Sequence, residues 1–227
     1  MKKKLLQPEF VFYHVPKCAG TSVRFALVKI LSSIYKKENI YAPIEAAWRD
    51  IKLNRNLVYS PDCGAFLKQV DIVKIKVILC HIKYNHPWIS NTFNDHKSLI
   101  ISRNPVDRVI SHYGFFIQDD TPVKSINDLS VDRLRDYCNR PDIKHTVTNY
   151  LSPVGNVTQA LRNLDKITYA CTVDSIQPTL SHIVKDLEQV HNINIPVPRL
   201  KRKNKGNYVC TPETRSLVEE FIHDSRD

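Results

Sequence analysis

Three short stretches of this 227-residue chain hold side chains suited to an anionic ligand. Lys17, Gly20, Thr21 and Ser22 stand in HVPKCAGTS, Arg103 and Ser111 stand in SRNPVDRVISHY, and His81 closes the apolar run KVILC. A lysine, a glycine and two hydroxyls in one turn offer positive charge, close backbone approach and O–H donors. A guanidinium such as that of Arg103 can grip a phosphate with two parallel N–H donors, and an imidazole such as that of His81 can take a proton near neutral pH. These residue types favour transfer of a charged group from an anionic donor.

The elements that would position them are legible in the pattern. Phe10, Val11, Phe12 and Val15 read as a buried strand that Pro16 closes. Val23, Ala26, Leu27, Ile30 and Leu31 then repeat every three to four residues, which predicts a helix from near Thr21. Its first turn would present unpaired N–H groups and the positive end of the helix dipole to an anion. Leu99-Ile100-Ile101 reads as another buried strand, with Asn104 as helix cap and Pro105 at the first helical position. Val106, Val109, Ile110, Tyr113 and Phe116–Ile117 mark the buried side of that helix, leaving Arg108 and Ser111 nearer the other side. Ser111 then lies roughly 10 Å along the helix from Asn104, so a phosphate touching both Arg103 and Ser111 would lie beside the helix. The same segments also fit ordinary strand-turn-helix units with a surface lysine, a salt-bridged arginine and a solvated serine.

The first loop is not a Walker A loop. In that pattern the lysine follows the second glycine directly, whereas Lys17 precedes Gly20 by three residues. Metal-dependent phosphoryl transfer also needs an acidic strand-end residue to hold Mg²⁺. The strand candidates Ile75–Cys80 and Ser98–Ser102 end instead in His81 and Arg103. A donor handled by Lys, His and Arg without a metal follows, with a nucleotide-dependent kinase as the enzymatic alternative.

Taken together, HVPKCAGTS and SRNPVDRVISHY resemble the paired donor-binding motifs of carbohydrate sulfotransferases related to heparan sulfate 2-O-sulfotransferase. The resemblance implies a P-loop-like three-layer α/β/α fold with a mainly parallel central sheet. It implies 3′-phosphoadenosine 5′-phosphosulfate as donor, no metal, and a hydroxyl acceptor on a carbohydrate. Lys17, Cys18, Ala19, Gly20, Thr21 and Ser22 would form the phosphosulfate loop, and Arg103 and Ser111 would hold the 3′-phosphate. KVILCHIKYNHP is similar to the family segment in which a strand ends at the catalytic base, which would be His81 with His86 as substitute, and PRLKRKNKGN is similar to the basic loop that closes over the nucleotide, through Arg202, Lys203, Asn204 and Lys205. Cys18 stands where the family has threonine and Asn104 where it has aspartate. A backbone N–H remains at the first position, and the second can still cap a helix. His14, His96 and His112 are read as packing or solvated residues.

Composition agrees with these expectations. The chain is long enough to bury a full core, and no repeat or low-complexity linker divides it, so residues 1–227 are expected to form one α/β domain. Helices without strands are expected between 121 and 165, over Asn127–Cys138 and Asn156–Leu164, then a strand in KITYACTVDSI and a last helix starting at Thr211-Pro212. The net charge of +10 suits an acidic glycan but equally nucleic acid or an anionic membrane. Neither basic run, Lys2–Lys4 nor Arg199–Lys205, is interleaved with aromatics as in single-strand binders. A basic nucleic-acid-binding module is therefore the non-enzymatic alternative. The six cysteines show no CxxC pair or zinc spacing and are expected to be reduced thiols, although Cys63, Cys138 and Cys210 would be the ones to pair under oxidising conditions. MKKKLLQPEF lacks the apolar core of a signal peptide, and no run reaches the ~20 apolar residues of a membrane span. A bacterial cytoplasmic enzyme, or an excised domain, is the expectation. The acceptor would be chosen by the loops Tyr41–Arg55, Asn85–His96 and Phe116–Lys124.

Overall fold

A computed structural model describes residues 8–42, 75–84, 96–116, 125–152, 154–200 and 209–223. Along them run β1 (Phe10–Tyr13), α1 (Gly20–Leu31), β2 (Ile40–Tyr41), β3 (Val77–Cys80), β4 (Lys97–Ser102) and α2 (Pro105–Phe116). There follow α3 (Val131–Asn139), α4 (Pro141–Lys144), α5 (Thr146–Leu151), α6 (Val157–Leu164), β5 (Tyr169–Thr172), α7 (Ile176–His191) and α8 (Pro212–His223).

The strands pair in parallel in the order β2-β3-β1-β4-β5. Phe12 of β1 sits opposite Leu79 on one side and Leu99 on the other. A strand in the middle of a parallel sheet is covered on both faces, which is why every residue of FVFY and VILC is apolar or aromatic and buried. Helices flank this sheet in the three-layer α/β/α arrangement expected from the sequence. Ser98, itself buried, ties β4 toward β5: the Thr168 N–H donates to its Oγ at 3.0 Å, while its own N–H donates to Thr168 Oγ1 at 3.1 Å.

The helix ends follow their caps. Asn104 Oδ1 accepts from the Asp107 N–H at 3.2 Å, so α2 starts at Pro105 as expected. Asn156 does the same for α6 through the Gln159 N–H at 2.8 Å, and Thr211 Oγ1 does so for α8 through the Thr214 N–H at 3.2 Å. The helix expected over Asn127–Cys138 begins later, at Val131, because Ser130 caps it and Ile126–Asp128 forms a separate 3₁₀ turn. β2 was not expected, since a two-residue strand has no periodicity to read; it takes Tyr41 out of the loop assigned to Tyr41–Arg55.

Val23, Ala26, Leu27, Ile30 and Leu31 all face the main core, built on the sheet with Leu180, Ile183 and Val184 of α7. A second core joins Val106, Val109, Ile110 and Tyr113 of α2 to Leu134 of α3, Ile143 of α4, and Val218 and Phe221 of α8. This second core corrects the placement of Arg108. Expected on the more open side of α2, it is 3% exposed, because α4 packs against the helix there and the Ile143 carbonyl accepts from its guanidinium.

Cys18, Cys80, Cys138, Cys171 and Cys210 are unbridged thiols, and Cys63 lies outside the described residues. No helix among the described residues is long and apolar enough to cross a membrane.

Candidate anion site and base

β1 lies between β3 and β4, so the carboxyl ends of these three strands deliver His14 and the following loop, His81, and Arg103 to one edge of the sheet. Ligands of open parallel sheets collect at this edge. The expected strand over residues 10–15 ends at Tyr13, and His14 is the first residue beyond it, although its N–H still donates to the Cys80 carbonyl at 3.1 Å.

The loop is tightly wound. Lys17 and Ala19 have φ of 64° and 59°, left-handed values that cost a non-glycine residue roughly 1–3 kcal/mol each. Ala19 is the N-cap of α1; it offers no side-chain hydrogen bond, and the first turn holds no acidic residue. The positive end of the helix dipole therefore falls at Gly20, Thr21 and Ser22, where an anion is favoured. Thr21 and Ser22 are half-buried.

Gly20 is required by a neighbour within the fold. Its φ is not positive; instead its backbone lies against the His14 ring, and a methyl group at position 20 would overlap Nε2, Cδ2 and Cε1. The close approach that glycine permits is that of a side chain from the end of β1.

His14 in turn carries His81. The two rings stack with centroids 3.9 Å apart and planes 24° from parallel. His81 Nδ1 lies 2.7 Å from the His14 carbonyl oxygen, which can only accept, so Nδ1 bears the proton and the lone pair is on Nε2. Tyr150 Oη lies further away, 3.5 Å from the same nitrogen. Burial first, then the Arg24 charge, lowers the His81 pKa from the ordinary 6.5 to about 4, against a smaller upward effect of the His14 carbonyl. His14, 5% exposed, is held neutral by burial and by the neighbouring His81, Arg24 and Lys17. Arg24 escaped the sequence reading, although a signal was present. Its spacing of three and seven from Leu27 and Leu31 puts it on the buried stripe of α1, where it is 6% exposed.

On the other flank, Arg103 Nη1 donates to the Lys17 carbonyl at 3.4 Å. The Lys17 ammonium sits 4.0 Å from the centre of the Phe115 ring. Burial, and then the Arg103 charge, brings the Lys17 pKa down to about 8. Cys18 points inward, 1% exposed, and burial lifts its thiol to about 11 against the opposing charges of Arg108 and Arg103, so only its backbone can meet a ligand. Ser111 lies two turns along α2, half-buried, next to His112, whose Nδ1 lies 2.6 Å from Tyr137 Oη. His96 Nε2 lies 3.1 Å from Tyr13 Oη.

The fold therefore gathers Lys17, Cys18, Ala19, Gly20, Thr21, Ser22, Arg103 and His81 around one loop. Arg202, Lys203, Asn204, Lys205 and His86 lie outside the described residues. Among the described residues no cluster of three His, Cys, Asp or Glu side chains is placed to hold a metal ion. Cations and helix-terminal amides can hold a polyanion here, and an imidazole with its lone pair on Nε2 can accept a proton beside it.

No family model matches the chain, and no curated protein matches it. Among solved structures, it is similar to the crystal structure of a sulfotransferase from Alicyclobacillus acidocaldarius, at 17% identity and a TM-score of 0.49, over 95% of this chain and 91% of that one.

Proposed function

We propose that this chain is a metal-free sulfotransferase that moves the sulfuryl group from 3′-phosphoadenosine 5′-phosphosulfate to an acceptor hydroxyl, with a saccharide as the acceptor class. The observation that carries this reading is the economy of one loop. Residues 14–22 fix the tautomer of an imidazole through the His14 carbonyl, supply the Lys17 ammonium, and open onto the N-terminus of α1, whose cap residue Ala19 makes no side-chain hydrogen bond. The paired motifs of the sequence support the same donor.

Transfer of a sulfuryl group to an alcohol breaks the bond between sulfur and the bridging phosphate oxygen and forms one to the acceptor oxygen. The acceptor proton must leave, and negative charge builds on the departing oxygen. His81 Nε2 takes the proton, a role commonly worth about 10²–10⁴-fold. Lys17 and the first amides of α1 meet the charge on the leaving oxygen, and the product is 3′-phosphoadenosine 5′-phosphate. Arg103 and Ser111 hold the 3′-phosphate, while Cys18 and Ala19 contribute backbone to the phosphosulfate loop. With a pKa of about 4, His81 is neutral at working pH but weakly basic. A polyanionic donor beside it raises that basicity, because negative charge stabilises the imidazolium.

Calorimetric titration with 3′-phosphoadenosine 5′-phosphate in EDTA, beside ATP and AMP, tests the reading. Micromolar binding that needs the 3′-phosphate and falls at least tenfold in Arg103→Ala is the expected result. Binding of ATP only, and only with Mg²⁺, would replace the sulfotransferase reading with a kinase.

A further inference from the structure

We propose that His14 is the positioning residue of the His81 base: its ring is the flat platform, and its carbonyl the clamp, that hold His81 in the tautomer with the lone pair on Nε2. This rests on the reading of His81 as base and adds a residue that the motifs leave without a task.

Three observations on separate elements meet at His14. The ring of His81, from the end of β3, lies on the His14 ring at 3.9 Å, and its Nδ1–H donates to the His14 carbonyl at 2.7 Å. The far edge of the His14 ring fits against Gly20, where any side chain would overlap it. The ring also continues a stack on Phe12 of β1, with centroids 5.4 Å apart and planes 15° from parallel. His81 is thus fixed in rotation by a flat face and in tautomer by a carbonyl, both from one residue, and that residue is wedged against the first turn of α1. A loop that must hold the donor and a base that must face it are linked by the width of one imidazole.

Hydrogen bonding does not account for the histidine at this position. Among the described residues the buried His14 Nδ1 has no hydrogen-bond partner, a cost that an apolar side chain of similar size would avoid. What an imidazole offers over leucine is a thin planar face that fits the slot left by Gly20.

Among the described residues, Arg24 from α1 and the His14 carbonyl act on His81, Tyr150 Oη from α5 lies near its Nδ1, and Lys17 lies near His14. None of these four is a carboxylate that would compete with the His14 carbonyl for the Nδ1 proton.

The test begins on the wild-type protein without donor, by long-range ¹H–¹⁵N NMR of the histidine rings. His81 is expected as a single tautomer protonated on Nδ1; a population protonated on Nε2 overturns the proposal, whatever reaction the protein performs. In His14→Leu, which keeps the carbonyl and apolar volume without a flat face, the His81 ring is free to turn away from that carbonyl, and the expected results are a mixed His81 tautomer and a kcat at least tenfold lower. The Kd for 3′-phosphoadenosine 5′-phosphate should stay within twofold. An unchanged tautomer and kcat, or a Kd that weakens in step with kcat, would make His14 a packing residue of the loop. If His14→Leu does not fold, His14→Phe, which keeps the face at greater size, must retain the Nδ1-protonated tautomer, and its loss overturns the proposal. If the wild-type protein fails to bind the nucleotide, the sulfotransferase reading fails, and the NMR result still decides the role of His14.

Discussion

The backbone of Gly20 lies flat against the edge of the His14 ring, so the first residue of α1 and the first residue after β1 share one slot. Neighbouring positions of the same loop should therefore respond unequally. Gly20→Ala must displace the ring or the helix and is expected to cost about 1–3 kcal/mol, as overpacking does. Ala19 already has a φ of 59°, so Ala19→Gly relieves a left-handed alanine while adding unfolded-state entropy of similar size, and should leave stability within about 1 kcal/mol of wild type. Urea denaturation of both variants checks this; equal losses at 19 and 20 would contradict the steric account.

Lys17 carries the charge that the departing oxygen needs. Lys17→Met is expected to lower kcat by about 10²–10³-fold, as removal of one transition-state donor commonly does. Its Kd for the product nucleotide should change much less. Because burial and Arg103 bring Lys17 to about 8, part of the population is neutral at pH 8 and regains its proton when a polyanion binds. Calorimetry at pH 8 in buffers of different ionisation enthalpy should show net proton uptake in the wild type and none of this component in Lys17→Met.

The pH–rate profile has two limbs with separate owners. His81 must be neutral to accept a proton, so kcat/KM falls with acid only as pH approaches about 4, rather than the ordinary 6.5. Lys17 must be charged, so kcat/KM falls as pH rises through about 8. The acid limb of kcat, which reports the donor complex, should lie above that of kcat/KM, since the bound anion stabilises the His81 imidazolium. Acid limbs that coincide near 6.5 would show that His81 is not the base held in this environment.

Stability should weaken with acid for the same physical reason. His14, His81 and His112 are all held below the ordinary histidine pKa mainly by burial, with His112 at about 3. Above pH 6.5 both folded and unfolded forms are neutral at these positions, and the shifts contribute nothing. As pH falls through 6.5 the unfolded chain takes up protons that the folded chain refuses, so stability is lost progressively toward pH 4. Thermal unfolding between pH 8 and 4.5 should show this fall, and His112→Phe should reduce the proton uptake on unfolding by about one.

Much of the frame was written in local pattern. The apolar runs Phe10–Tyr13, Val77–Cys80 and Leu99–Ile101 lie buried in parallel strands, and Asn104-Pro105 and Thr211-Pro212 begin helices where the caps require. His81 and Arg103 directly follow strands and Lys17 lies in the loop after β1, and strand ends are visible because apolar periodicity stops there. A two-residue strand such as Ile40–Tyr41 gives no period, and the start of α3 depends on which of several polar residues caps it.

The sequence by itself thus determined the alternation of strands and helices and that His81 and Arg103 directly follow strands, since a strand end fixes where a side chain emerges; their meeting at one edge came from β1 pairing between β3 and β4. Only tertiary structure decided what those side chains meet. Arg24 and Arg108 read as polar positions, yet burial turned them into charges inside the fold, one beside His81 and one against the Ile143 carbonyl. The tautomer of His81 depends on a carbonyl 67 residues earlier in the chain, and the need for Gly20 on the way the loop between β1 and α1 folds the His14 ring back against the helix. Hydrophobic periodicity, which reports only each element's own buried face, carries no trace of such contacts.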